Sequence, residues 1–314
     1  MSNNYLQEPI ITILGPTATG KTKVAVQVAQ HLNGEIISVD SRQIFRRMDI
    51  GTGKDLADYS IGEITIPTYL IDIEEPGIEY NVFRYQQAAF DAMQKIRKKN
   101  KRIILCGGSG MYIEAILRGY RLFPVPENDE LRNTLASKTD FELIDILSSY
   151  KSLHNDTDTS ERDRLVRAIE IEEHYKNHPE LNERVKPIDS CIIGLCGNRD
   201  EIRSKITKRL HERLKEGLVD EVQRLINEGI DPQRLIRYGL EYKFVTKYII
   251  GQLSYDDMVE QLNIAIHQFS KRQMTWFRRM ERMGFNIHWV DIALPNKEKM
   301  NDICSFLSKN GINI

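Results

Sequence analysis

The sequence predicts an α/β protein: a parallel sheet with helices on both faces, interrupted by a helical insertion domain. Three observations predict it. Short, uniformly apolar runs alternate with helical segments, the pattern of a sheet buried on both faces. A glycine-rich turn, residues 15–22, separates the first such run from the first helix. Residues 122–187 break the alternation, being polar and strongly helical with no buried strand.

The elements follow in order. Residues 10–14, Ile-Ile-Thr-Ile-Leu, form a buried strand, and residues 23–32 a helix with Val24, Val28 and Leu32 on one face. A second strand, 35–39, ends at Asp40-Ser41, and a third covers 68–73 before Pro76-Gly77. Residues 82–99 make a helix burying Phe83, Ala89, Phe90, Met93 and Ile96, and Arg97, Lys98 and Lys99 suit its carboxyl end. The strand 102–106 runs into Gly107-Gly108-Ser109-Gly110 and a helix from 113. After the insertion come a strand at 190–196, helices from 200 onward including 202–226 and 256–283, and a last strand at 287–290. The core is therefore 1–121 with 188–314, and the insertion lies between.

Composition bounds the function. The 314 residues are 41% hydrophobic, enough for a sizeable core, and a net charge of −1 advertises no global affinity for nucleic acid. Any such partner must meet a local patch. Cys106, Cys191, Cys196 and Cys304 lack paired metal spacing, and Cys106, Cys191 and Cys196, in apolar, strand-like runs, are expected as buried reduced thiols. No apolar run reaches a membrane span, and with a polar start no signal peptide is expected. A cytoplasmic monomer that meets no membrane is expected.

Gly15-Pro16-Thr17-Ala18-Thr19-Gly20-Lys21-Thr22 fits GxxxxGK followed by Ser or Thr, in the strand–turn–helix context a phosphate loop needs. Glycines let successive N–H groups face an anion, Lys21 adds a mobile charge, and the Thr22 hydroxyl can ligate Mg²⁺. A P-loop NTPase-like core follows, with ligands beyond the carboxyl ends of the strands. The phosphate loop, Asp40-Ser41, Asp72 and the 107–112 turn converge there. Asp40 has three open readings: a metal-holding acid, a general base beside a bound diphosphate, or the cap of a new segment. Gly107-Gly108-Ser109-Gly110 is either a second approach to ligand or a tight turn. Arg164 and Arg167 share a helical face, for phosphates or for ion pairs on a solvated helix. Lys271, Arg272, Arg278, Arg279 and Arg282, with Trp276 and Phe277 among them, suit an RNA backbone or an amphipathic helix packed on the core. Helix 202–226 adds Arg203, Lys205, Lys208 and Arg209, and Arg199 before it can reach the phosphate site.

The chain resembles the tRNA dimethylallyltransferases. The resemblance rests on the phosphate loop, on residues 37–45 (Ile-Ser-Val-Asp-Ser-Arg-Gln-Ile-Phe), 48–54 (Met-Asp-Ile-Gly-Thr-Gly-Lys), 107–112 (Gly-Gly-Ser-Gly-Met-Tyr), 164–170 (Arg-Leu-Val-Arg-Ala-Ile-Glu), 217–222 (Gly-Leu-Val-Asp-Glu-Val) and 271–278 (Lys-Arg-Gln-Met-Thr-Trp-Phe-Arg). They occur in the family's order across nearly the whole chain. The resemblance implies transfer of a dimethylallyl group from dimethylallyl diphosphate to the N6 amine of the adenosine 3′ of the anticodon. It implies that residues 15–22, with Arg199, hold diphosphate, that Thr22 holds Mg²⁺, and that Asp40 is the base. Thr19 or Thr17 would position the amine or the donor, beside Lys21. Asp40, Ser41, Arg42, Gln43, Ser109, Asp163, Arg164, Leu165, Val166 and Arg167 match the family's tRNA contacts, and Lys271 and Arg272 extend them. The insertion and the basic C-terminal helix would both grip the anticodon stem-loop. This chain departs from the family at Asp158-Thr159-Ser160-Glu161, where His-Pro-Asn-Asp is common, at Ser109 for threonine, at Glu241 for glycine, and at His267 for arginine. Two other activities stand beside this one. Prenylation of free adenine nucleotides would not need the basic helix. A P-loop kinase or ATPase would need an acid after residues 102–106, where the chain has glycines.

Overall fold

The computed structural model describes residues 8–119, 125–151, 162–178 and 187–314. They fall into two compact units, divided at 118/119 and 186/187. The insertion limits expected near 122 and 187 abut residues 120–124 and 179–186, which lie outside the described residues, as do the departures at Asp158-Thr159-Ser160-Glu161.

In the first unit, β1 (Ile10–Leu14) leads into α1 (Lys21–His31), β2 (Gly34–Val39) and a 3₁₀ turn at Leu56–Tyr59. A small antiparallel pair follows, β3 (Ser60–Ile61) and β4 (Ile64–Thr65). Next come β5 (Thr68–Tyr69), α2 (Val82–Lys98), β6 (Arg102–Gly107) and α3 (Gly110–Leu117). The strand expected over 68–73 is therefore only two residues long. Leu70 (φ 63°) and Asp72 (φ 52°) adopt left-handed backbone, which ends ladder pairing at once.

The second unit is helical: α4 (Asp129–Ala136), α5 (Asp140–Tyr150) and α6 (Arg162–Asn177). They pack around their own core of Leu135, Leu143, Leu147, Leu165, Ala168 and Ile169. Thr139 and Glu142 form a reciprocal capping box that fixes the start of α5.

The chain then returns to the first unit with β7 (Ser190–Cys196), α7 (Arg199–Lys215), α8 (Leu218–Asn227), α9 (Pro232–Leu235) and α10 (Leu240–Ile249). It ends in α11 (Tyr255–Arg282), β8 (Ile287–Asp291) and α12 (Asn296–Lys309). The single helix expected over 202–226 is two, because Gly217 (φ 102°) turns left-handed between α7 and α8. The six-stranded sheet runs β5-β2-β6-β1-β7-β8, with every pair parallel. Strands β1, β2 and β6 are buried along their whole length, matching their apolar sequences. All four cysteines are free, Cys106 and Cys191 buried, Cys196 and Cys304 half-buried. Among the described residues no helix is long and apolar enough to cross a membrane.

Candidate active site

Because β6 lies between β1 and β2, three loops leave the sheet side by side: the phosphate loop, Asp40-Ser41 and the 107–110 turn. Their close approach needs glycine. A Cβ on Gly107 would lie 2.0 Å from the Val39 carbonyl oxygen, and one on Gly15 2.7 Å from that of Leu195. The Ser41 N–H donates to Ser109 Oγ at 3.3 Å, and the Ser109 N–H to the Val39 carbonyl at 3.4 Å, tying the loop after β2 to the central turn after β6.

The phosphate loop winds through left-handed Ala18 (φ 65°) and Gly20 (φ 77°) into α1. No side chain caps α1, and its first turn contains no acid, so its N–H groups and its positive dipole end are open to an anion. The Pro16 carbonyl accepts from Thr19 Oγ1 at 2.9 Å and from Lys21 Nζ at 2.7 Å. Burial pushes the Lys21 ammonium down to about 8, and Arg209 adds to the fall against the opposing pull of Cys106 and Asp40. Burial pushes the neighbouring Cys106 thiol up to about 12. Tyr59, from the 3₁₀ turn, brings its hydroxyl to the side chains of Ser38 and Thr22, and burial holds its proton on.

One oxygen of Asp40, Oδ1, accepts the N–H groups of Arg42 (2.8 Å) and Gln43 (3.4 Å). The carboxylate thus caps a turn, with no helix after it. Oδ2 has no hydrogen-bond partner among the described residues. Arg42 is half-buried, and burial lowers its guanidinium while Tyr112 and Asp40 raise it. Gln43 accepts from Ser38 Oγ at 2.9 Å and donates to the Gly53 carbonyl at 3.1 Å, so its amide is engaged within the fold.

Residues 48–54 are held from behind. Glu221 of α8 accepts the N–H groups of Asp49 and Ile50 (both 2.8 Å) and Gly51 (3.0 Å), and the Tyr242 hydroxyl at 2.6 Å. The Lys54 ammonium is fully buried against the Phe45 carbonyl, Asp49 and Asp72. Asp72, expected at the ligand end of the sheet, serves this lysine. Gly53 lets Arg213 and Arg209 of α7 approach, a Cβ there meeting both guanidiniums. Arg209 pairs with Asp55 at 2.7 Å and Arg213 with Glu241 at 3.6 Å. So Glu241 has a cationic neighbour on α7. His267 lies against α7 too, 3.2 Å from Thr207 Oγ1.

The other expected residues fall as follows. Arg199, expected beside the loop, is exposed at the first position of α7. The α7 guanidinium whose charge acts on Lys21 is that of Arg209. Lys271 and Arg272 are exposed on α11. Gln273 and Phe277 are buried, and Trp276 packs on Gly110 and donates to Glu114 at 3.1 Å. That stretch of α11 is therefore an amphipathic helix packed on the core, with cationic side chains on its outer face. In the helical unit, Asp163 and Arg164 are exposed and Val166 is half-buried. Leu165 is 1% exposed in the local core, so its side chain faces no ligand. Arg167 pairs with Glu170 and donates to the Val125 carbonyl at 2.7 Å. Sequence reasoning missed Tyr59 and Arg213, and it quoted Glu221 and Gln273 only within family motifs, without their roles in the fold.

Among known proteins, a family model described as IPP transferase matches residues 43–280. The chain is 58% identical over 292 residues to tRNA dimethylallyltransferase 1 of Parabacteroides distasonis, covering 93% of this chain and 95% of that one. It is 57% identical over 293 residues to tRNA dimethylallyltransferase 2 of Bacteroides fragilis, with coverage of 93% and 95%. The solved full-length tRNA isopentenylpyrophosphate transferase of Bacillus halodurans matches with a TM-score of 0.70 at 30% identity, over 97% of each chain.

Proposed function

Because the chain belongs to the IPP transferase family, we propose that it moves a dimethylallyl group from dimethylallyl diphosphate to the N6 amine of the adenosine 3′ of the anticodon in tRNA. The observation that supports this most directly is the pairing of an uncapped helix N-terminus with Asp40, whose Oδ2 is unengaged, across the single strand β6. One end receives an anion and the other a proton.

The open N–H groups of α1, with Lys21 and Arg209, take up the charge that develops on the diphosphate as the allylic carbon–oxygen bond breaks. The electron pair of that bond leaves with the diphosphate. The N6 lone pair forms the new carbon–nitrogen bond, and the N6 proton passes to Asp40. N6 is a poor nucleophile because its lone pair is delocalised into the ring, so the base acts as the bond forms. The adenine must leave its stack to enter, so a flipped base is expected. The exposed Lys271 and Arg272 offer charge to the RNA backbone, and Ser41, Arg42, Gln43 and Ser109 surround Asp40. The Thr22 hydroxyl, at the start of α1, would be the protein ligand for Mg²⁺, which when bound would help neutralise the charge of the leaving diphosphate.

The test is transfer of radiolabel from dimethylallyl diphosphate to unmodified tRNA with Mg²⁺, using the wild-type protein and Asp40→Asn. Wild type labels tRNA and not free AMP. Asp40→Asn binds tRNA normally but turns over at least about 100-fold more slowly. Labelling of AMP alone, or ATP hydrolysis without prenyl transfer, overturns the reading; full activity in Asp40→Asn removes Asp40 as the base.

A further inference from the structure

Helix α11 has two faces of opposite character. Lys271, Arg272, Thr275, Arg278 and Arg282 are exposed, whereas Ser270, Gln273, Phe277 and Met280 are buried. Gln273 is a polar side chain in an otherwise packed face, 8% exposed, and both ends of its amide are used. Its Oε1 accepts the Thr17 N–H at 2.9 Å, and its Nε2 donates to the Gly108 carbonyl at 2.9 Å. The fit is tight: a Cβ on Gly108 would lie 2.4 Å from Nε2 and 3.4 Å from the Gly15 carbonyl. One side chain therefore joins the phosphate loop to the turn after β6.

The bond to Thr17 has a consequence for catalysis. The Thr17 N–H and the Pro16 carbonyl belong to one rigid peptide plane. Gln273 holds the N–H side, and the carbonyl side accepts from Lys21 Nζ and Thr19 Oγ1. If that plane rotates, Lys21 and Thr19 lose the acceptor that positions them. Gln273 also withdraws the Thr17 N–H from the donors open to the anion. Trp276 on the next turn seats α11 on Gly110 and carries Arg279 stacked 4.8 Å above its ring. The outer cations and the inner strut thus ride on the same rigid helical turn.

We propose that Gln273 is a positioning residue that fixes the Pro16–Thr17 peptide plane, and that it couples RNA held on the outer stripe of α11 to diphosphate held by the phosphate loop. The coupling rests on the tRNA reading given above, and the strut does not. Without Gln273 the plane is free to turn, Lys21 is no longer parked, and contacts made on Lys271 and Arg272 have no direct hydrogen bond to the loop.

The test uses the full chain, inorganic pyrophosphate with Mg²⁺, and an unmodified anticodon stem-loop RNA. Dissociation constants are measured by calorimetry for each ligand alone and with the other saturating, in wild type, Gln273→Leu and Gln273→Glu. Gln273→Leu removes both hydrogen bonds, and Gln273→Glu keeps an acceptor for Thr17 while losing the donor to Gly108. In Gln273→Leu the pyrophosphate dissociation constant rises about tenfold, and stem-loop affinity in the absence of pyrophosphate stays within about twofold. The mutual effect of the two ligands, at least about fivefold in wild type, falls to unity. Gln273→Glu, matched for size, keeps the bond to Thr17 and therefore part of the coupling, whatever its charge does to pyrophosphate affinity, and Gln273→Met, which makes neither bond, repeats the loss should the leucine variant fold poorly. Unchanged pyrophosphate affinity in Gln273→Leu or Gln273→Met overturns the strut, and full coupling that survives in either overturns the link. If wild type binds no stem-loop, the tRNA reading and the coupling fall together, while the pyrophosphate constants still decide the strut.

Discussion

Lys21 shows how one residue's chemistry is set by its seat in the fold. The side chain is turned back onto the Pro16 carbonyl, in a place where burial disfavours its charged form and draws it down to about 8. A diphosphate arriving at the open end of α1 supplies the missing counter-charge and raises the group again. Binding therefore takes up a proton in the interval above about pH 8, and affinity weakens there as pH rises, by up to about tenfold per unit from this group alone. Calorimetry of pyrophosphate binding at pH 9 in buffers of different ionisation enthalpy reads this uptake directly. Lys21→Arg, whose guanidinium stays charged, abolishes the Lys21 share of it. Equal uptake in the two proteins would mean that the proton goes to the pyrophosphate and that Lys21 is charged throughout.

At the scale of elements, the segments that matter most to the site are held by partners far away in sequence. Residues 48–54 have neither helix nor strand of their own before the 3₁₀ turn, and Glu221 of α8 supplies the acceptors for three of their amides. Gln in that position offers one oxygen and a donor that opposes an amide N–H. Glu221→Gln therefore costs about 3 kcal/mol, read as a fall in denaturation midpoint, and it reduces activity because the loop backs Arg209 and Arg213. Tyr242→Phe removes only one donor and costs about 1 kcal/mol. A Glu221→Gln midpoint equal to wild type would show that the loop is held some other way. This is also where legibility changes. The strands β1, β2, β6 and β7 were plain from runs of Ile, Val and Leu, because a strand buried on both faces needs no partner to declare itself. The phosphate loop was plain because its spacing is its chemistry. The roles of Glu221 and Gln273 were not, since each depends on a loop met only after folding, more than a hundred residues away in sequence. The break between α7 and α8 was legible in principle at Gly217, but the apolar spacing runs through it and hid the left-handed turn.

Across the whole molecule, a change of texture after residue 119 marked out a second body, and that body has a hydrophobic core separate from the sheet's. Among the described residues its core cluster has six buried apolar side chains, and a polar knot is buried beside them. Glu170 is 3% exposed and accepts from the Asn128 N–H at 2.6 Å, from Arg132 at 3.0 Å and from Arg167. Burial alone would raise its carboxyl, but Arg132, Arg167 and the Asn128 amide outweigh that and hold it down to about 2. A carboxylate depressed in the folded state contributes stability that is complete above its ordinary range near 4.5 and is lost as pH falls toward 2. Amide exchange protection at Leu143, Leu147 and Ile169, corrected for intrinsic rates, should therefore decline across that interval. Glu170→Gln should start lower at pH 7 and show a flatter decline, because the amide cannot titrate. The full acid decline persisting unchanged in Glu170→Gln would assign the sensitivity to other carboxylates, with Glu142 of the α5 capping box, itself held low by the Thr139 N–H and hydroxyl, the next to test.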